Sequence, residues 1–211
     1  MAVTTTIVDH PVCSDALARI RDTNTPDALF RQNLERIGSL LLAEATRELP
    51  TVDGTVETPL TTAAAQRIAV QPVIVPILRA GLGFLTAAQE LLPNADIGFI
   101  GIARNEETHQ PEPYVNKLPD SLAGRPTIIV DPMLATGGSL AFTAQLLIER
   151  GAPTPLHAVC ALAAPEGIAA LEAAGLDIHL VTAAVDERLN DDAFIVPGLG
   201  DAGDRQFGTH P

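Results

Sequence analysis

Ile128-Ile129-Val130-Asp131-Pro132-Met133-Leu134-Ala135-Thr136-Gly137-Gly138-Ser139 is the stretch that decides how this chain folds. The apolar run Thr127–Val130 predicts a buried strand, and it ends at an acid. A tight Thr-Gly-Gly-Ser turn then leads into a helix predicted from about Gly138 to Arg150. Small residues let the backbone approach a ligand closely, and free N–H groups at a helix start favour a phosphate. The hydroxyls of Thr136 and Ser139 add hydrogen-bonding groups, and Asp131 sits where it can hold sugar hydroxyls. The plainer alternative is a strand–helix turn in which Ser139 caps the helix. No Lys follows the Gly pair, so the stretch is not a Walker loop, and it does not fit the dinucleotide fingerprint.

Outward from this stretch, short apolar β-rich runs alternate with helical patterns from Val70 onward. Strands are predicted at Val73–Leu78, Ile97–Ala103, Leu156–Leu162 and Ile178–Ala184, with helices over Leu82–Leu92 and from Pro165 to about Ala174. This alternation predicts an α/β fold, a parallel twisted sheet with helices on both faces, with ligands bound beyond the carboxyl ends of the strands. The first fifty residues read as helical. Ser14 is the expected cap of a short helix carrying Leu17 and Ile20. Thr25-Pro26-Asp27 is a helix start signal, and Phe30, Leu34, Ile37, Leu41 and Leu42 recur at helical spacing. Pro50 marks the stop, and residues 51–62 suit an exposed turn or hairpin arm. The segments Arg104–Pro119, polar with three Pro, and Asp186–Pro211, rich in Gly, read as long loops of the functional kind. The whole chain, 1–211, reads as a single domain.

Composition narrows the function. Hydrophobic residues make up 46% of the 211 residues and aromatics only 3%, so the core is aliphatic. The net charge of −13 disfavours a broad nucleic-acid face or an anionic membrane surface, both of which need basic patches. A small anionic substrate is compatible with it, given a local pocket of Arg side chains and backbone N–H groups. No run reaches the ~18 apolar residues of a membrane helix, and no signal peptide is read at the start. Two cysteines, Cys13 and Cys160, read as free core thiols of a cytoplasmic protein. His10, His109, His157, His179 and His210 show no metal-ligand spacing, and His157 and His179 read as structural.

Three further segments carry chemistry. Pro76-Ile77-Leu78-Arg79-Ala80-Gly81-Leu82-Gly83 puts one Arg in an apolar, Gly-rich turn, where its planar fork suits a pyrophosphate. A structural ion pair is the alternative role. Arg104-Asn105-Glu106-Glu107-Thr108 opens the first long loop and reads either as a solvated charge run or as a ligand contact. Ile195-Val196-Pro197-Gly198-Leu199-Gly200-Asp201-Ala202-Gly203-Asp204 offers more backbone than side chain, which suits recognition of a flat base by N–H and C=O groups. A flexible tail would have the same composition.

A hydrophobic strand, an acid and a Thr-Gly-Gly loop resemble the phosphoribosyl diphosphate (PRPP) signature of type I phosphoribosyltransferases. The form DPMLATGGS at 131–139 resembles the uracil phosphoribosyltransferases. VPILRAGLGF at 75–84, ARNEET at 103–108, APEGIAALEAAG at 164–175 and IVPGLGDAGDRQFGT at 195–209 match the same family, so the resemblance covers nearly the whole chain.

The resemblance implies transfer of the phosphoribosyl group of PRPP to N1 of uracil, giving UMP and pyrophosphate. It implies PRPP contacts from Arg79, Arg104, Asp131, Pro132, Met133, Leu134, Ala135, Thr136, Gly137, Gly138, Ser139 and Asp201. Uracil is expected at Ile195, Gly200, Asp201 and Ala202. Asp201, Arg79 and Arg104 are the expected catalytic residues. A non-proline cis peptide is expected beside Arg79, and a mobile lid after Arg104, with Tyr114 and Lys117 on it. Pro132 stands where type I signatures commonly carry a second acid, so Mg²⁺ is expected to arrive with PRPP and no side chain is assigned as its ligand. The family also implies a homo-oligomer and, in some members, a GTP effector. The competing readings are a uracil-nucleotide-sensing RNA-binding regulator on the same fold, which the charge opposes, and a phosphoribosyltransferase for another base.

Overall fold

The computed structural model describes residues 2–104 and 111–209, without the side chains of residues 104, 111 and 112. The chain opens with strand β1 (Val3–Ile7), then helices α1 (Pro11–Arg21) and α2 (Asp27–Ala45). An antiparallel hairpin, β2 (Thr51–Glu57) and β3 (Thr62–Ile68), precedes β4 (Val73–Leu78). A 3₁₀ turn at Ala80–Phe84 runs into α3 (Leu85–Leu91), then β5 (Asp96–Ile97), β6 (Phe99–Arg104) and β7 (Pro111–Lys117). Next come β8 (Thr127–Val130), β9 (Met133–Leu134), α4 (Gly138–Glu149), β10 (Leu156–Ala163) and α5 (Pro165–Ala173). The chain closes with β11 (Ile178–Val185), the small pair β12 (Arg188–Leu189) and β13 (Ile195–Val196), and α6 (Ala202–Phe207).

Among the described residues, one sheet runs β1-β11-β10-β8-β4-β6-β7, with β5 beside β4 and β9 beside β10. Every pair in it is parallel except β6–β7. The central strands are apolar without alternation because both faces are covered. Ile74, Ile128 and Val130 face a core with Phe30, Leu34 and Leu41 of α2. Their neighbours Val73, Val75 and Ile129 face the opposite core, with Leu140 and Leu147 of α4 and Leu171 of α5. Helices therefore lie on both faces, as the sequence predicts. Phe30, Leu34, Ile37, Leu41 and Leu42 are all fully buried, and burial of each such side chain is worth about 1.5–3 kcal/mol. Packing, more than helix propensity, thus holds α2 in place.

Several expectations are corrected. The N-terminal fifty residues are not wholly helical: β1 pairs in parallel with β11 and adds an edge strand. Its Val-Thr-Thr-Thr-Ile sequence has β propensity but too little apolar content to stand out. The cap of α1 is His10, whose Nδ1 accepts from the Val12 N–H at 3.1 Å, while the Ser14 hydroxyl donates to the His10 carbonyl at 3.3 Å. Pro26, with no capping side chain, stands before α2, and the Thr25 hydroxyl donates back to Arg19 O at 2.6 Å. The hairpin arm extends to Ile68.

The two long segments are also more structured than expected. Residues 111–117 form a strand, so Tyr114 and Lys117 sit on the sheet edge, with the Tyr114 ring against Gly101. The lid expectation for residues 105–110 lies outside the described residues. The Gly-rich tail closes with α6.

Candidate active site

The sheet order places β4 beside β8, and the chain leaves them in opposite directions. From β4 it runs to β6 and β7, and from β8 to β10 and β11, beyond which the N-terminal β1 forms the edge. At such a switch point a crevice opens beyond the carboxyl ends of the strands. Both expected phosphate segments begin there: β4 ends at Leu78 and delivers Arg79, and β8 ends at Val130 and delivers Asp131. The Leu78–Arg79 peptide is cis, beside Arg79 as the resemblance implies.

The loop after Asp131 divides into supporting and open residues. Pro132 and Leu134 are buried, and their carbonyls accept from the N–H groups of Leu162 and Ala164 at 3.0 and 2.8 Å. Met133, Ala135 and Thr136 line a cleft of about 330 Å³. Gly137, with φ 82°, turns the chain into α4, and among the described residues no side chain caps that helix start. Gly138 and Ser139 are exposed in its first turn. The N–H groups there and the helix dipole favour an anion. Ser139 is thus not the cap of α4 but lies inside it, and its carbonyl accepts from the Thr143 hydroxyl at 2.8 Å.

Ile195, Gly200, Asp201 and Ala202 line the same cleft, together with Ala80. The four expected uracil contacts therefore share one opening with Met133, Ala135 and Thr136 of the expected PRPP contacts. Asp201 has a second role: its Oδ1 caps α6 by accepting from the Asp204 N–H at 2.8 Å. Arg79 reaches across to this helix. Its Nη2 lies 3.3 Å from Asp204 Oδ1, and its Nη1 donates to the Thr209 hydroxyl at 3.4 Å. A larger hollow, about 580 Å³, lies behind the same loop between Arg21, Thr23 and Arg205. It does not reach Met133–Thr136, so the smaller cleft is the one suited to joining a phosphorylated sugar to a base.

Asp131 remains partly open to solvent, yet its carboxyl lies in low-dielectric surroundings. Burial pushes its pKa up to about 7; the Met133 N–H opposes the rise, and the charge of Asp201 adds to it. Asp131 does not itself line the cleft, but it accepts from the N–H of the cleft-lining Met133, and a carboxyl perturbed this way is a candidate functional position. Cys160, fully buried near Asp131, is held as an inert thiol by burial. Among the described residues no group of three or more His, Cys, Asp or Glu side chains could hold a metal ion. Asp131 senses the charge of Asp201, and one or two carboxylates are the usual protein share in holding a Mg²⁺ bound mainly through phosphate oxygens and water.

The backbone of Arg104 closes β6, while its side chain lies outside the described residues. Sequence reasoning missed Ala80, Asp192, Ala193, Phe194 and Gly203 as cleft-lining residues, and Asp204 as the partner of Arg79. The signal for α6 was available: an acid at the cap, Asp201, followed by Asp204 in the first turn. No helix of the described residues is long and apolar enough to cross a membrane.

Fold and cleft together define a phosphoribosyltransferase of type I architecture. A hypoxanthine-guanine phosphoribosyltransferase from Bacillus anthracis shares the fold, with a TM-score of 0.51 at 15% identity over 76% of this chain and 80% of that one. The family model for uracil phosphoribosyltransferase matches residues 7–209, and the chain belongs to that family. It is 51% identical to the uracil phosphoribosyltransferase of Corynebacterium diphtheriae, over 96% of this chain and 95% of that protein. It is 49% identical to that of Corynebacterium efficiens, over 96% of each. A solved structure from Aquifex aeolicus superposes with a TM-score of 0.91 at 37% identity, covering 98% of this chain and 99% of that one.

Proposed function

We propose that this chain transfers the phosphoribosyl group of PRPP to N1 of uracil, releasing pyrophosphate and forming UMP, in the cleft at the β4–β8 switch point. One observation carries the reading. Thr136, immediately before the uncapped start of α4, and the small-residue loop Gly200–Ala202 line a single opening, in a chain of the uracil phosphoribosyltransferase family.

The 5′-phosphate lies on the Thr136–Ser139 turn, where N–H groups and two hydroxyls answer its charge. Asp131 accepts from the ribose hydroxyls. Arg79, with Arg104, lies against the pyrophosphate and stabilises the negative charge that grows as it leaves. Backbone groups of Gly200–Ala202, with Ile195, hold the plane of uracil so that N1 faces the anomeric carbon. Positive charge builds on the ribose ring in the transition state, and fixed carboxylates such as Asp201 are placed to counter it. Mg²⁺, when bound with PRPP, supplies further positive charge at the pyrophosphate. Holding both reactants in line removes much of the entropic barrier of a two-substrate reaction.

The same reading carries expectations from the family resemblance: a cytoplasmic site of action, a homo-oligomer, and GTP as an effector. Sedimentation, and rates with and without GTP, test the last two. The function itself is tested by mixing the protein with uracil, PRPP and Mg²⁺ and following UMP. Formation of nucleotide from hypoxanthine but not from uracil overturns the base assignment.

A further inference from the structure

We propose that Arg21 and Asp186, neither of which lines the 330 Å³ cleft, are positioning residues that set the backbone of the base-recognition loop. The proposal rests on the reading of that cleft as the uracil site.

Arg21 ends α1, and Asp186 follows β11; their side chains are 24% and 4% exposed. The Asp186 carboxylate takes three donors. Arg21 Nη2 donates to Oδ1 at 2.5 Å, and Arg21 Nη1 and the Gly198 N–H donate to Oδ2 at 2.8 and 2.9 Å. Arg21 Nη1 also donates to the Gly198 carbonyl at 2.9 Å. One ion pair therefore holds both polar backbone groups of Gly198, a residue at φ 61°. The next carbonyl, Leu199, accepts from Arg205 Nη1 at 2.9 Å. Arg205 is itself fixed by the carbonyls of Ile20 and Asp22 and lies 4.5 Å over the Phe30 ring. Two successive carbonyls are thus committed to interior partners just before the chain turns at Gly200 into the cleft wall.

Burying such a pair costs desolvation that an apolar pair of the same shape would not incur. What the pair gives in return is geometry, because a fork and a carboxylate can grip an N–H and a C=O at once. Recognition of a base by backbone groups needs those groups held to about 0.5 Å. Release of Gly198 lets the loop drift, and uracil feels this first. PRPP, held mainly on the Thr136–Ser139 turn outside this loop, feels it less, through Asp201 alone.

The test is steady-state kinetics of Asp186→Asn and Arg21→Lys, with melting temperature and calorimetric PRPP binding measured on each. In both variants KM for uracil should rise by about tenfold or more, the scale of loss that a misplaced contact causes. KM for PRPP should move by less than about threefold, well below that scale, whereas kcat should fall as well, because Asp201 and the groups that align N1 sit on the same loop. The double variant should be little worse than either single one, since the two residues act as a unit. Arg21→Lys keeps the charge but has no planar fork to bond both Asp186 oxygens while it holds the Gly198 carbonyl, so it carries the test if Asp186→Asn fails to fold. Wild-type uracil KM in a folded variant, or equal loss toward both substrates together with lost PRPP binding, overturns the positioning role alone. A wild-type protein that binds PRPP but forms no UMP from uracil overturns the base assignment and the proposal with it.

Discussion

The guanidinium of Arg79 lies 3.3 Å from the carboxylate of Asp204. The loop after β4 and the helix after the base loop are therefore joined by an ion pair. With 55% of the Arg79 side chain exposed, such a pair contributes no more than about 1 kcal/mol to stability. The value of Arg79 lies instead in the charge it offers to pyrophosphate.

Arg79→Ala is accordingly expected to lower kcat/KM for PRPP by about 10²–10³, the usual loss when one donor to a developing anion is removed. The melting temperature should stay nearly unchanged. Kinetics and thermal unfolding on the same preparation check this. A variant that melts early but turns over normally would assign Arg79 to the fold and remove it from the site.

Asp131 gives a pH signature. Its pKa is about 7 in the folded chain against an ordinary value of 3.8. Between those values the folded state binds more protons than the unfolded state, so this group makes stability fall as pH rises, and the loss is complete above about 7. Asp131→Asn cannot ionise and escapes the loss. From pH 5 to 8 the stability advantage of the variant should grow by about 2–3 kcal/mol, while its turnover falls because the ribose contact is altered. Denaturant unfolding of both proteins across that range is the measurement. A constant difference would mean that the carboxyl titrates normally.

The sheet was legible because strands buried on both faces are unbroken apolar runs. Val73–Leu78 and Thr127–Val130 coincide with the residues predicted. The phosphate turn was legible because its glycines and hydroxyls are local chemistry. Partnerships across the chain were not. Nothing near Arg79 in sequence announces Asp204, and nothing near Arg21 announces Asp186, since only the fold brings them together. Strand β7 was hidden by its prolines and polarity: it lies at the sheet edge, where Pro is tolerated and apolar alternation is weak. Helix α6 was overlooked despite its Asp201 cap because Gly203 and Asp204 in its first turn have low helix propensity and read as loop.

Asp201 has two duties that substitutions can separate. As the cap of α6 it accepts from Asp204 N–H at 2.8 Å, and loss of such a cap costs about 0.5–2 kcal/mol. Asp201→Ala should lose both that stability and activity. Asp201→Asn keeps an effective cap while removing the charge, so it should melt near the wild-type temperature and still turn over slowly. If Asp201→Asn is fully active, the carboxylate charge is dispensable and only the cap matters.

Gly167 tests whether the phosphate turn is shaped from behind. It lies in the first turn of α5, away from the cleft lining, and its α-carbon faces the backbone of the loop. A Cβ there would overlap the Ala135 carbonyl oxygen and come within 3.0 Å of Leu134. The loop has little room to yield, because the Leu134 carbonyl is already bonded to the Ala164 N–H at 2.8 Å. On the far side the Gly167 carbonyl lies against Gly137, the residue that turns the loop into α4. Helix propensity favours Ala over Gly by about 1 kcal/mol, so a free helix would gain from the change. Here the added methyl must instead displace Ala135 and, through it, Thr136. Gly167→Ala should therefore raise KM for PRPP by about tenfold or more, the scale of a small misplacement in a positioning loop, with a much smaller effect on KM for uracil. The check is paired KM measurements together with melting. Wild-type PRPP kinetics with a raised melting temperature would show that α5 accepts the methyl by itself and that the turn is held from elsewhere.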